Sequence, residues 1–88
     1  MRRYNDIKYV VFDFLGEEYI VIFPELLTHI EVAKSVTKMS KYMEPISGGF
    51  IEHGECMGES ISLDMKSRGE ADTLLLEKLS PDAEEVII

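Results

Sequence analysis

The residues of this chain whose types could do chemistry fall into two groups. The first is His29, His53 and Cys56, with Glu55 and Glu59 close to the latter pair in sequence. Imidazole nitrogen, thiolate sulfur and carboxylate oxygen are the ligands zinc takes, about four of them converging on a tetrahedron. His53 and Cys56 are near neighbours, but the chain has no C-x-x-C or H-x-x-x-H pair, and His29 belongs to another segment. The plainer reading is a turn histidine, a half-buried cysteine and a histidine at a helix start, so no metal is assigned. Cys56 with His53 or His29 would also make a nucleophile and base. Such a pair needs a shared hydrogen bond, an orienting group and oxyanion donors. A histidine in a turn and a cysteine on the strand beyond it point away from one another, so no catalytic residue is assigned.

The second group suits anions. Lys66, Ser67 and Arg68 stand just ahead of a predicted helix, where unpaired backbone N–H groups and two cations would receive a phosphate or carboxylate. Ser47-Gly48-Gly49 offers a second set of backbone donors if it curls into an anion-binding nest. It is not a P-loop, because no Lys-Ser or Lys-Thr follows at the required spacing. Lys66, Ser67, Arg68 and Ser47 are therefore the candidate ligand-binding residues, with no cofactor implied. The plainer alternatives are a capped helix preceded by exposed bases, and a glycine pair that admits another backbone.

The elements that must position these residues follow from patterning. Residues 7–15 (IKYVVFDFL) and 18–23 (EYIVIF) are β-branched and aromatic, and Gly16-Glu17 between them signals a turn. The first strand is apolar on both faces, since Val10, Phe12 and Phe14 alternate with Ile7, Tyr9 and Val11. Such strands are usually covered on both faces. Pro24 ends the second strand, and Thr28 with Glu31 forms a T-x-x-E capping box that opens an amphipathic helix. Val32, Val36, Met39 and Met43 make its apolar stripe, opposite Lys34, Lys38 and Lys41. Residues 46–52 and 55–65 predict a second hairpin turning at His53-Gly54. Its last strand alternates Ile61, Leu63 and Met65 against Ser60, Ser62 and Asp64, with Glu59 in phase with the apolar set. Either that strand bulges near Gly58, or Glu59 is partly buried. Ser67 with Glu70 suggests a second capping box, with Asp72 as a competing cap. Ala71, Leu74, Leu75 and Leu79 form the following helix face, stopped at Ser80-Pro81. Residues 83–88 (AEEVII) read as an edge strand or a tail.

The expected fold is thus α+β, ββαββα. A four- to five-stranded antiparallel sheet of two hairpins carries two helices on one face, with residues 1–88 forming a single domain. The uncovered, apolar sheet face then calls for a second copy of the chain, making a homodimer or larger homo-oligomer.

Composition bounds the function. The chain has 88 residues, 45% of them hydrophobic and 30% charged, which is a globular balance. Its one cysteine allows no intramolecular disulfide and points to a reducing interior. A net charge of −8 disfavours contact with nucleic-acid phosphates and steers the protein toward basic partners. Lys8 and Asp13 interrupt the first hydrophobic stretch, and the apolar runs are far shorter than the roughly 20 residues that span a bilayer. The expectation is a soluble cytoplasmic protein that binds neither nucleic acid nor membrane.

IKYVVFDFLGEEYIVIFPELLTH, PISGGF and GESISLDMKSR together resemble small uncharacterised proteins encoded by bacteriophages and prophages, over residues 7–79. That group has no established activity or site residues, so none is carried onto this chain. The resemblance implies an accessory gene product in the cytoplasm of a bacterial host, binding a host or viral protein and inhibiting a host process or defence system. The leading expectation is such a non-enzymatic interaction protein. The alternative is an oligomer that binds or sequesters an anionic small molecule at Ser67 and Arg68. A small hydrolase or metalloprotein built on His29, His53 or Cys56 ranks last.

Overall fold

The computed structural model describes residues 7–79. Ser80-Pro81 and residues 83–88 lie outside them. The chain runs β1 (Ile7–Phe14), β2 (Glu17–Pro24), α1 (His29–Met39), β3 (Met43–Glu52), β4 (Glu55–Met57), β5 (Glu59–Ser60), β6 (Met65–Lys66) and α2 (Glu70–Leu79). The first four strands form one antiparallel sheet ordered β2-β1-β3-β4, and β5 and β6 form a separate two-stranded ladder. The expected α+β class, antiparallel four-stranded sheet and two helices are all present.

Both hairpins of the large sheet close through two-residue turns whose residues have positive φ. Leu15-Gly16 connects β1 to β2 (φ 53° and 95°), and His53-Gly54 connects β3 to β4 (φ 55° and 80°). Paired positive φ angles give the mirror-image turn whose twist matches the strands. The first turn therefore sits one residue earlier than the sequence suggested, and it places a leucine where asparagine or glycine is favoured. Leu15 is 69% exposed, so no packing offsets that strain.

β1 is central and apolar on both sides, and each side meets a different helix. Tyr9 and Val11 pack with Ile51, Cys56 and Leu76 of α2, while Val10 and Phe12 pack with Phe23 and Ala33 of α1. Because successive strand residues point to opposite faces, α1 and α2 lie on opposite faces of the sheet and not together on one. The second helix supplies the cover that the sequence pattern assigned to a second copy. α1 begins as expected. Thr28 Oγ1 accepts from the Glu31 N–H at 3.2 Å, and the Glu31 carboxylate accepts from the Thr28 N–H at 2.9 Å. It stops at Met39, and Met43 already belongs to β3, so the predicted helical stripe is one turn too long.

The predicted strand over residues 55–65 is broken. β4 ends at Met57, Gly58 takes φ 79°, and residues 61–64 make a turn between β5 and β6. The Asp64 N–H donates to the Ile61 carbonyl at 3.2 Å across that turn, and Asp64 itself has φ 56°. Ile61, which the alternation places at the start of an inward row, is 87% exposed, while Ser60 of the outer row is buried. Of the two readings of Glu59, the break at Gly58 is the one realised. Glu59 is exposed and sits directly across from Lys66.

Gly48 and Gly49 explain how this ladder meets the large sheet. They lie in extended β3, on opposite faces. A Cβ at Gly48 would come within 3.5 Å of both His29 and Ser60, and one at Gly49 would overlap the Met57 carbonyl oxygen. The chain after β4 thus crosses β3 in van der Waals contact with bare backbone, the close-approach reading of the glycine pair. An extended strand does not curl into a nest, so the proposed anion cradle at Ser47-Gly48-Gly49 is not formed. β3 also carries a bulge opposite Val11 and Phe12, where Ile46 is the extra residue between Pro45 and Ser47. No helix among the described residues is long and apolar enough to cross a membrane.

Two substitutions test this description by chemical denaturation. Gly49→Ala is expected to destabilise by at least about 1–3 kcal/mol, because backbone and not a mobile side chain must yield. Leu15→Asn is expected to stabilise by about 0.5–1 kcal/mol by relieving the left-handed leucine.

Candidate functional site

The densest polar cluster lies between the sheet and the start of α2, and Asp72 is its centre. Asp72 is 0% exposed, on a helix whose three consecutive leucines, Leu74, Leu75 and Leu76, leave its inward phase ambiguous. The realised phase turns Asp72 and Leu76 inward and leaves Ala71 and Leu74 exposed, which corrects the predicted helix face. A buried carboxylate is tolerated only when hydrogen bonds replace its water. Here Tyr9 Oη donates to Oδ2 at 2.6 Å, the Arg68 N–H to Oδ2 at 2.9 Å, Arg68 Nε to Oδ1 at 2.8 Å and Ser47 Oγ to Oδ1 at 3.1 Å. Each carboxylate oxygen thereby receives two donors.

The cluster extends outward through Ser67 and Arg68. Ser67 Oγ lies 2.6 Å from Tyr9 Oη and accepts from the Gly69 N–H at 2.9 Å. The carboxylate can only accept, so the single Tyr9 proton goes to Asp72 and the Ser67 hydroxyl donates to Tyr9. The far edge of the Arg68 guanidinium grips Glu18 of β2 with two bonds, Nη1 to Oε2 at 3.1 Å and Nη2 to Oε1 at 2.9 Å. One arginine therefore clasps the helix start to the outer strand.

The electrostatics follow this wiring. Burial pushes the Asp72 carboxyl up, but the donors from Tyr9, Arg68 and Ser47 outweigh it and hold the group below its ordinary value of 3.8. Burial, reinforced by the adjacent Asp72 carboxylate, raises the Tyr9 phenol far above its usual range. Arg68 holds the Glu18 carboxyl low by hydrogen bonding, and Glu18 in turn raises the guanidinium. Tyr9 and Asp72 are both sealed from solvent, and a phenol that holds its proton this firmly is a poor acid.

Among the four candidate anion-binding residues, the structure brings Ser47, Ser67 and Arg68 to one place and leaves Lys66 on β6, facing Glu59 of β5. The anions that Ser47 and Arg68 receive are the protein's own, Asp72 and Glu18. Ser67 does not form the expected box with Glu70; its hydroxyl serves Gly69 and Tyr9 instead.

The metal and nucleophile candidates stay apart. Among the described residues no group of three or more His, Cys, Asp or Glu side chains converges to hold a metal ion. His29 is buried against Phe23 and Phe50, with edge-to-face ring contacts at 5.4 and 5.6 Å. Its Nε2 is 2.9 Å from the Gly49 carbonyl, which assigns the proton to that nitrogen, and burial holds the imidazole below its ordinary value. His53 is a turn residue, as read from the sequence. Cys56 is buried, its thiol pushed up to about 11 by burial, so it carries little thiolate at neutral pH. An open groove of about 430 Å³ runs beside it, lined by Glu55, Gly69, Glu70, Thr73, Leu74 and Glu77.

Sequence reasoning missed Tyr9, Glu18 and Asp72 as members of the cluster. The Arg68–Asp72 spacing of four residues was the visible signal, since an i, i+4 pair meets on a helix. Tyr9 lies 63 residues from Asp72, and nothing local announces the contact. No family model, curated protein or solved structure matches this chain.

Two pH windows are expected in the stability of the folded state. His29 is held below its unfolded value of 6.5, so its neutral form favours folding and stability falls as pH drops through and below 6.5. Asp72 is also depressed, so its contribution is complete above 3.8 and is lost as pH falls further. Thermal unfolding of Asp72→Asn should show a shallower loss below 3.8, while the loss below 6.5 should vanish only in His29→Gln. At neutral pH, Asp72→Ala should cost about 3–5 kcal/mol, because Arg68 Nε and the Ser47 hydroxyl lose their buried acceptor.

Proposed function

We propose that this domain works by binding another protein and not by catalysis. The observation that carries the reading is a convergence of exposed apolar side chains at one end of the sheet, on the α1 side. Leu26 and Ile61 are 89% and 87% exposed, and Leu27, Phe50 and Met57 are also substantially exposed. Hydrogen bonds and pairing draw them together. Lys8 Nζ donates to the Leu27 carbonyl at 2.9 Å and stands 6.0 Å from the centre of the Phe50 ring. Phe50 is paired with Met57, and the Ile30 N–H donates to Ser62 Oγ at 3.2 Å, which seats the Ile61 turn at the start of α1. Single exposed apolar residues are ordinary, whereas several brought together mark a docking surface.

Net charge favours the same reading. A chain at −8 attracts basic surfaces and repels nucleic acid. The resemblance to phage-encoded proteins makes a bacterial or viral protein the first partner class to test, with inhibition of a host process as the consequence of binding. Sequestration of a small anion has less support, because Ser47 and Arg68 already serve Asp72 and Glu18, and Ser67 is engaged by Tyr9 and Gly69.

Affinity capture from a bacterial extract, followed by binding measurements with the purified partner, tests the patch. Leu26→Glu and Ile61→Glu should each weaken binding by about tenfold or more, as loss of a well-packed apolar anchor does. Both side chains point into solvent, so the melting temperature should not fall. Equal binding by wild type and both variants would sink the proposal.

A further inference from the structure

The outer strand of the large sheet has a second consequence, independent of the apolar patch. β2 is an edge strand of eight residues, and among the described residues only β1 pairs with it. In an antiparallel pair, alternate residues exchange both backbone bonds with the partner strand and those between turn theirs outward. The two-residue turn at Leu15-Gly16 makes Phe14 and Glu17 a bonded pair, so Glu17, Tyr19, Val21 and Phe23 bond toward β1. Glu18, Ile20 and Ile22 therefore direct their N–H and C=O groups to the open side. The devices that blunt such edges are largely absent, since β2 contains no lysine, shows no bulge against β1 and has its proline only at the last position.

We infer that β2 pairs antiparallel with β2 of a second copy of this chain, about a two-fold axis at Ile20, joining the two sheets into one. The self-complementarity of the strand selects this occupant. A two-fold axis perpendicular to the sheet sets residues of the same face opposite one another. Centred on Ile20, it matches Tyr19 with Val21 and Glu18 with Ile22 across the junction. Every outward N–H of β2 then finds a carbonyl, and Pro24, which has no N–H to give, falls outside the ladder. Charge agrees as well. Glu17 lands opposite the partner's Phe23, which is cross-strand to the partner's Lys8, so each copy sets an acid about two strand spacings, roughly 10 Å, from a base on the same face. Lys8 Nζ keeps its bond to the Leu27 carbonyl, so the attraction acts across that gap. No two acids of β2 face each other in this register.

The interface is a strand edge and little more, smaller than the ~800 Å² per partner of a standard interface, so micromolar affinity is expected. Sedimentation equilibrium of the full chain from about 5 to 500 μM, with amide exchange read by NMR on the same samples, tests it. The expected result is a monomer–dimer equilibrium in which the amides of Glu18, Ile20 and Ile22 gain protection as concentration rises, while those of Tyr19 and Val21 are protected throughout. Ile20→Pro removes an outward N–H without touching the β1 ladder and should leave a monomer. Glu17→Lys, on an exposed side chain, should weaken the dimer several-fold, and adding Lys8→Glu should restore it. A monomer across the whole range would overturn the inference. So would edge amides protected at every concentration, which would mean that another segment of the same chain covers β2. A dimer unchanged in Glu17→Lys would overturn the register.

Discussion

A carboxylate sealed from water must be given its hydrogen bonds by the protein, and Asp72 obtains them from three separate elements. Tyr9 reaches it from β1, Ser47 from β3, and Arg68 from the segment that leads into α2. Buried ion pairs are weak contributors to stability once desolvation is counted, and their better-attested role is to select one arrangement among several. That role fits here. Apolar burial alone leaves the phase of α2 undecided among Leu74, Leu75 and Leu76, and only the phase that turns Asp72 inward avoids stranding a phenol and a serine under the helix. The same choice positions Arg68, whose guanidinium continues to Glu18 and holds the outer strand.

The chemistry of the cluster is consequently directed inward. A serine, a tyrosine, an aspartate and an arginine within hydrogen-bonding reach of one another would suggest an active site if any solvent-facing group were free to meet a substrate. Each instead satisfies another, and Tyr9 and Asp72 are wholly buried. What the molecule offers outside is of a different kind. Apolar side chains gather around the start of α1, an acidic groove runs along α2, and among the described residues no strand pairs with the outer edge of β2. These are features with which proteins meet other proteins.

The parts of the fold that could be read from the residues are those governed by local rules. The capping box at Thr28 and Glu31, the His53-Gly54 turn and the two long apolar strands of the first hairpin all depend on neighbours within a few positions. The residues 55–65 misled because Ile61, Leu63 and Met65 alternate as a strand should, while a glycine at φ 79° and a tight turn override the alternation. Placement of the helices was not legible either, since a strand apolar on both faces fits a helix on each face as well as a second subunit on one. At the candidate site, Ser47, Ser67 and Arg68 were recognised as anion receptors. The anions of Ser47 and Arg68 were not recognised, because Asp72 looked like a helix cap and Glu18 lies 50 residues from Arg68. A close approach was legible at Gly49, but which backbone made it was not.

Asp72 is thus an ionised, fully partnered internal anion that takes the donors the sequence seemed to offer an external one. The direct measurement is the pH titration of the Asp72 side-chain carboxyl carbon by NMR, with and without inorganic phosphate. The midpoint is expected below the ordinary 3.8, with no response of that resonance, or of the Arg68 side-chain N–H signals, to phosphate at neutral pH. A midpoint at or above 3.8, or a saturable shift on adding phosphate, would contradict it.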